Sequence, residues 1–187
     1  MTLVDTCCIQ CYLALETGDK TVPEFLVCAK SQVRARVRCI DATHLITLLD
    51  PGDSIHKPNR IVPENWLWLR MEDEEHPSRP NAPTLEQARQ VLELGQRLPS
   101  DARVVIHCFA GVSRSTAAGL ALWLQSNGLE RFDDAEAWLR SHRERPCPNM
   151  LLAAHFDQLL GLDGKFEKFC DKVAEGSMAR WWKDQNL

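Results

Sequence analysis

Short apolar runs and longer periodic segments alternate along this chain. The apolar runs predict four β-strands, at residues 24–29, 44–49, 65–71 and 103–107. Between and after these runs, apolar residues recur every three or four positions, which is the spacing of a helix with one buried face. Strands that alternate with helices are typical of an α/β domain, and we expect a central, mostly parallel sheet flanked by helices.

Local signals mark the ends of two of the helices. Thr84 and Gln87 have the spacing of a capping box, and the helix that they begin should end near Pro99. Residues 116–124 are apolar on almost every side, which predicts a central, buried helix that stops at Gly128. The last predicted strand therefore leads directly into a buried helix.

Three more helices are predicted in the last part of the chain. Asp133 with Glu136 should cap the first of them, and residues 149–160 form the second, for which Asn149 is a suitable N-cap. The tail, residues 165–187, forms the third. One face of this helix should pack back on the domain or on a partner, and it carries Phe166, Phe169, Val173 and Trp181.

Composition and charge narrow the possible functions. The chain has 187 residues, of which 44% are hydrophobic, so it can form one domain with a sizeable core. Its net charge of -4 comes without a basic stripe, which argues against a nucleic-acid partner. No apolar run reaches the ~18 residues of a membrane span, and the N-terminus lacks the pattern of a signal peptide. We expect a soluble, cytoplasmic protein that is monomeric and has no membrane partner.

The eight cysteines form no regular disulfide framework, so we expect reduced thiols. Cys7, Cys8 and Cys11 resemble half of a zinc site, but the chain offers no second pair of ligands at metal spacing. The histidines have no partners at metal spacing either. We expect neither a metal nor a cofactor.

Residues 106–116 read IHCFAGVSRST and connect the last predicted strand to the buried helix. The first N–H groups of a helix are unpaired and its dipole favours an anion, so a phosphate suits this junction. Gly111 supplies a backbone conformation that other residues resist, which lets successive N–H groups point inward. Arg114 can then hold two phosphate oxygens with its guanidinium group. The residues expected to bind phosphate are Phe109, Ala110, Gly111, Val112, Ser113 and Arg114.

Cys108 begins this loop and is the candidate nucleophile. The helix dipole, the inward N–H groups and Arg114 should stabilise its thiolate relative to the thiol. Ser115 is placed to donate a hydrogen bond to the sulfur and so to help it depart in a second step, and His107 is placed to fix the loop through a ring N–H. A buried, inert thiol is the alternative, but it does not explain Gly111, Arg114 and Ser115 at fixed offsets.

Residues 107–115, HCFAGVSRS, match the HCxxGxxRS signature of the cysteine-dependent protein tyrosine phosphatases. AGVSRS looks most like the dual-specificity branch and its compact bacterial relatives. The resemblance extends from about Phe25 to Gly164 and includes the stretch RPCPNMLLAAHFDQLLG. It implies the dual-specificity phosphatase fold for a domain at residues 21–164, preceded by an extension at 1–20 and followed by a helical tail at 165–187 that packs on the domain.

The resemblance also implies a two-step reaction through a phosphocysteine, assisted by an aspartate on a loop that precedes the signature. Asp73 follows a predicted strand and stands 35 residues before Cys108 (108 − 73). We expect Asp73 to act first as general acid and then as general base. Glu74 and Glu75 are the alternatives for this role, and the whole acidic run is also compatible with a solvated turn.

Three classes of function use a cysteine loop around an anion. A phosphatase accounts for every specified residue of the loop. A rhodanese-type sulfur transferase or an arsenate reductase is disfavoured by the five residues between Cys108 and Arg114 and by the late position of the loop in the chain. A phosphate-binding pseudophosphatase usually lacks the Cys or the Arg, and this chain has both.

The expected substrate is a phosphorylated protein or peptide, with phosphotyrosine ahead of phosphoserine and phosphothreonine. The loop contains no Lys, unlike the basic loops of many phosphoinositide phosphatases, and this makes a highly anionic lipid the second choice. The alternative is a non-protein substrate such as a phosphoinositide, an inositol phosphate or a nucleotide 5'-phosphate.

Overall fold

Four parallel strands form the centre of the fold. A computed structural model describes residues 22–185, except for the side chain of residue 183; the extension predicted at 1–20, with Cys7, Cys8 and Cys11, lies outside this range. The sheet has the order β1-β4-β2-β3, and all three neighbouring pairs are parallel. Its strands are β1 (Glu24–Ala29), β2 (His44–Leu49), β3 (Trp66–Arg70) and β4 (Arg103–Cys108). The predicted α/β class and the predicted strands are confirmed.

Helices cover both faces of the sheet. The described helices are α1 (Val33–Cys39), α2 (Leu85–Arg97), α3 (Arg114–Asn127), α4 (Phe132–His142), α5 (Met150–Leu160) and α6 (Lys165–Gln185). The first helix, α1, covers one face, and the other five pack on the opposite face. None of the helices in the described range is both long and apolar enough to cross a membrane.

Each strand supplies side chains to two hydrophobic clusters. Val27, Ile46 and Ile106 belong to the large cluster, which they form with helices α2 to α6. Alternate positions, such as Leu26 and Leu45, belong to a smaller cluster on the α1 side. Because both faces are covered, the strands are near-continuous apolar runs, and all six residues of β2 are buried.

The helix boundaries confirm the cap predicted at Thr84 and correct the one predicted at Asp133. At α2, Thr84 Oγ1 accepts from the N–H of Gln87 (3.2 Å) and Gln87 Oε1 accepts from the N–H of Thr84 (3.0 Å), so the capping box is present. The cap predicted at Asp133 is wrong, because α4 begins at Phe132 and Asp133 lies within its first turn. The ring of Phe132 packs on Phe169 of α6, 5.0 Å between centroids, so the first residue of α4 also contacts α6.

The helix α6 is joined to α5 by a buried carboxylate. Asp157 accepts hydrogen bonds from the N–H groups of Gly164 (2.7 Å) and Phe166 (2.7 Å), which lie at the start of α6. Carboxylates are favoured at helix N-termini because they satisfy unpaired N–H groups. On the following turns Phe169 and Val173 are buried in the large cluster, whereas Trp181, farther along, is 44% exposed.

Four cysteines in the described part of the chain are free thiols, namely Cys28, Cys108, Cys147 and Cys170. Burial raises the pKa of the Cys28 thiol to about 12, so this thiol stays protonated at neutral pH. Within residues 22–185, no group of three His, Cys, Asp or Glu side chains is placed to hold a metal ion.

Candidate active site

The candidate site lies at the carboxyl edge of the sheet. In a parallel sheet all strands end at the same edge, and ligands bind in the crevice outside it. Lys30 follows β1, Asp50 follows β2, Asp73 lies just beyond β3, and the loop of residues 108–113 follows β4. Residues that are far apart in the sequence therefore meet here.

The loop of residues 108–113, here called the phosphate loop, turns its carbonyl groups outward. Five of its six carbonyl oxygens accept hydrogen bonds from outside the loop. The carbonyl of Cys108 accepts from the ring of His107, that of Phe109 from the N–H of Lys30, and that of Ala110 from the guanidinium of Arg143. The carbonyls of Val112 and Ser113 accept from the N–H groups of Cys147 and Asn149. In a trans peptide the N–H points opposite to the C=O, so the N–H groups of the loop face its interior. The N–H of Gly111 does so, donating to Cys108 Sγ at 3.2 Å.

Gly111 is required by the shape of this loop. Its φ is +70°, a conformation that residues with a side chain rarely adopt. A Cβ at this position would also lie 2.5 Å from the carbonyl carbon of Cys28, at the end of β1. The special backbone conformation was predicted from the sequence, and the structure adds that the loop is packed directly against the neighbouring strand.

Two donors converge on the sulfur of Cys108. The thiol group belongs to a side chain that is 1% exposed, at the end of β4. Ser115 Oγ donates to the sulfur at 3.2 Å, as does the Gly111 N–H. Hydrogen bonds to the sulfur stabilise a thiolate more than a thiol, which is the arrangement expected for a nucleophile.

His107 has a defined tautomer. Burial lowers its pKa to about 4, so the ring is neutral at pH 7. Its Nδ1 faces the carbonyl of Cys108 (3.2 Å), which can only accept, so Nδ1 carries the proton. Its Nε2 then accepts from the hydroxyl of Thr47 (2.8 Å), and Thr47 Oγ1 in turn accepts from the indole N–H of Trp66 (2.8 Å). This chain of hydrogen bonds holds the carbonyl of Cys108 away from the loop interior.

Arg114 is a buried charge whose Nε donor is unused. Its side chain is 3% exposed and opens the first turn of α3. Nη1 donates to Asp50 Oδ1 (2.5 Å) and to the carbonyl of Met71 (2.6 Å). Nε is buried, has no hydrogen-bond partner among the described residues, and lies 3.9 Å from Asp73 Oδ1. Buried donors are normally paired, so a phosphate oxygen in the loop would complete this guanidinium group.

Asp73 is held beside the phosphate loop by two donors. Its Oδ1 accepts from Ser113 Oγ (2.6 Å) and from Asn149 Nδ2 (3.0 Å). Asn149 is fully buried and donates to the carbonyl of Glu74 as well (3.2 Å). Its Oδ1 accepts from the N–H of Leu152 (2.9 Å), so the same side chain caps α5. The amide of Asn149 therefore ties the acidic loop to the start of α5.

The neighbouring carboxylates are engaged elsewhere. Glu74 Oε1 accepts from the N–H groups of His76 (3.0 Å) and Glu75 (2.9 Å), and these bonds lower the pKa of Glu74. Glu75 Oε1 accepts from the N–H of Met150 at the start of α5 (2.9 Å). Of the three carboxylates proposed from the sequence, it is Asp73 that contacts Ser113 of the phosphate loop.

Two residues of the site were not predicted as functional. Asp50 was assigned to a turn, although a charged residue directly after a mostly apolar strand, at the same edge as Cys108, is a usable signal. Asn149 was predicted only as a helix cap, and its second contact, with Asp73, spans 76 residues of sequence. A side chain that has both a donor and an acceptor can serve two partners at once.

No protein-family model and no curated protein matches the sequence. Among solved structures, the fold is similar to DUSP15, with a TM-score of 0.55 at 16% identity over 84% of this chain and 94% of that one. It is also similar to the Yvh1 phosphatase domain from Chaetomium thermophilum, with a TM-score of 0.53 at 20% identity over 81% of this chain and 96% of that one. For human DUSP28 the TM-score is 0.52 at 14% identity, over 86% and 97% of the two chains.

The chain has the dual-specificity phosphatase fold. The fold resemblance predicted from residues 107–115 is thus confirmed by the shape of the whole described chain. In this dual-specificity phosphatase fold the site lies at the carboxyl edge of the sheet, where Cys108, Arg114 and Asp73 meet.

Proposed function

We propose that the protein is a phosphoric monoester hydrolase that dephosphorylates proteins, phosphotyrosine above all, through a phosphocysteine. The observation that carries this proposal is the phosphate loop, in which five of six carbonyl groups are drawn outward around a buried Cys108. The Nε of Arg114 supports the same conclusion, because a buried cationic donor without a hydrogen-bond partner in the described part of the chain suits an anionic ligand.

In the first step the Cys108 thiolate attacks phosphorus. The S–P bond forms as the ester P–O bond breaks, and Asp73 gives its proton to the leaving oxygen. The loop N–H groups and Arg114 Nε bind the three equatorial oxygens, where charge is concentrated in the transition state. Asp50 and the Met71 carbonyl hold Arg114 by Nη1, which keeps its other edge available for the phosphate.

In the second step water attacks the phosphocysteine. The carboxylate of Asp73 now accepts a proton from the water, a new P–O bond forms and the S–P bond breaks. The departing sulfur carries negative charge, which the hydroxyl of Ser115 stabilises by donating to it. The products are inorganic phosphate and the free thiolate.

Phosphoproteins suit the charge of the site better than polyanionic lipids. The phosphate loop has no Lys, and the carboxylates of Asp50 and Asp73 stand close to it. A substrate with several phosphate groups would meet carboxylate repulsion wherever an additional phosphate lies on the β3 side of the site, at separations within the Debye length. A single phosphate on a protein side chain avoids this repulsion.

The test combines turnover and binding. Cys108→Ser should abolish hydrolysis of phosphotyrosine peptides and of p-nitrophenyl phosphate, but it should still bind inorganic phosphate, as measured by calorimetry. Arg114→Ala should lose both hydrolysis and phosphate binding. Asp73→Asn should lower kcat by about 10² or more for poor leaving groups. Normal turnover by Cys108→Ser would overturn the mechanism.

Neighbouring residues provide matched controls for the acid. Glu74→Gln and Glu75→Gln change one carboxylate of the same loop and should keep kcat within about threefold, because neither carboxylate lies at the phosphate loop. A loss in Glu74→Gln as large as that in Asp73→Asn would move the general acid. Turnover of thiosulfate in place of phosphoesters would instead identify a sulfur transferase.

A further inference from the structure

One exposed ring and two cations flank the phosphate loop. Phe109, directly after Cys108, is 59% exposed although its side chain is apolar. Lys30 Nζ lies 5.6 Å from the centre of this ring, and Arg143 Nη2 donates to the carbonyl of Ala110 at 3.0 Å. We call Lys30, Phe109 and Arg143 the rim surface. An exposed aromatic residue beside cations is a common feature of binding surfaces.

The rim surface is fixed in place before any substrate arrives. The N–H of Lys30 donates to the Phe109 carbonyl (3.0 Å), and Lys30 Nζ pairs with Asp53 Oδ1 (2.5 Å). Arg143 Nη1 donates to Gln32 Oε1 (3.4 Å), on the turn that follows β1. A contact surface with few remaining rotamers loses little entropy on binding.

The two sides of the site carry opposite charge. Lys30 follows β1, which is one edge of the sheet, and the acidic loop of residues 72–75 follows β3, which is the other edge. The phosphate loop follows β4, between them. A negatively charged group on the substrate is therefore repelled on the β3 side and attracted on the β1 side.

We propose that the rim surface binds the segment of a substrate protein next to the phosphorylated residue and selects an acidic side chain there. The inference rests on the proposed function. The Lys30 ammonium group has three donors, so it can bind a substrate carboxylate while it keeps Asp53. Arg143 adds a second positive charge, and the ring of Phe109 packs on the adjoining substrate backbone and side chain.

The experiment compares two phosphotyrosine peptides that differ only in Glu or Gln beside the phosphotyrosine. For the unaltered protein at low salt, kcat/KM should be about threefold to fivefold higher for the Glu peptide, which is what one exposed ion pair supplies. In Lys30→Gln the ratio should fall toward one. In Asp53→Asn it should rise, because the carboxylate that competes for Lys30 is gone. Added salt should lower the ratio of the unaltered protein and that of Asp53→Asn.

Arg89→Gln is the matched control, because Arg89 is an exposed cation on α2 that is paired with Glu86. The Glu-to-Gln peptide ratio of this variant should equal that of the unaltered protein. Equal ratios in Lys30→Gln and the unaltered protein would overturn the inference, as would a preference for the Gln peptide. Loss in Lys30→Gln of phosphoinositide hydrolysis in vesicles, with an unchanged peptide ratio, would also overturn it. If no phosphopeptide is turned over in a Cys108-dependent way, it is the proposed function that fails.

Discussion

Replacing Asn149 by Ser should impair proton transfer and leave the fold intact. The Asn149 side chain accepts from the N–H of Leu152 (2.9 Å), which caps α5, and it donates to Asp73 Oδ1 (3.0 Å) and the Glu74 carbonyl (3.2 Å). Ser is among the best N-cap residues but has no amide group to reach Asp73. The substitution therefore separates the cap from the contact with the proposed general acid.

The expected magnitude follows from the bonds that are lost. A net contribution of about 0.5–1.5 kcal/mol is usual for a neutral hydrogen bond and about 1.5–3 kcal/mol for one to a charged group. Ser113 still donates to Asp73 at 2.6 Å, so the carboxyl group keeps one of its two donors. A loss of about 1.5–3 kcal/mol in the transition state lowers kcat roughly 10- to 150-fold.

The assay is a series of aryl phosphates whose leaving groups differ in acidity. A good leaving group such as p-nitrophenolate departs with little help from an acid, whereas a poor one needs the proton from Asp73. The loss in Asn149→Ser should therefore be small for p-nitrophenyl phosphate and should grow toward the poor leaving groups. The steepness of log kcat against leaving-group pKa measures this directly.

A second variant separates catalysis from stability. Asn149→Ala loses the amide and the cap together, so its kinetics should match those of Asn149→Ser while its free energy of unfolding is about 1 kcal/mol lower. A uniform loss across all leaving groups in Asn149→Ser would refute the positioning role, because a general disturbance of the site has no leaving-group dependence. Unchanged rates would refute it as well.

Two further predictions concern stability. Gly111→Ala should lower the free energy of unfolding by about 2–5 kcal/mol, because the new Cβ meets the Cys28 backbone in a left-handed conformation; thermal denaturation measures it, and Gly52→Ala, where a Cβ meets nothing within 4 Å, should be near neutral. Burial lowers the pKa of His107 and of His142 to about 4, below the unfolded value near 6.5. The unfolded chain then binds more protons, so stability should fall by roughly 2–3 kcal/mol per histidine as pH drops from 6.5 to 4. Urea titrations at several pH values should show a shallower decline for His142→Gln, and an identical decline would contradict this account.

The parts of the molecule that depend on neighbours in sequence were predictable. The strands β1 and β2 are apolar runs with the predicted bounds, and the Thr84 capping box has a fixed spacing. The phosphate loop is also local, since Gly111 and Arg114 take their places relative to Cys108 from a strand, a turn and a helix start. Such features need no knowledge of the rest of the fold.

Contacts between distant segments were not predictable in the same way. The Arg114–Asp50 ion pair spans 64 residues and depends on β4 lying beside β2, an order that the sequence pattern does not reveal. The cap predicted for α4 was wrong, although the helix itself is present. The helix begins before Asp133, at Phe132, whose ring contacts Phe169 of α6, and a contact of this kind between separate segments leaves no signal in the local pattern around Asp133.

The outward hydrogen bonds of the phosphate loop have a consequence for biosynthesis. The carbonyls of Val112 and Ser113 are bonded by Cys147 and Asn149, which leave the ribosome later than the signature itself. At about 5–20 residues per second, the nascent chain carries its nucleophile for several seconds before it carries these partners. Thr116 in α3 donates to the same two carbonyls (2.6 Å each), so the loop can begin to take its shape early, and the bonds from Cys147 and Asn149 then fix that shape at a late stage of folding.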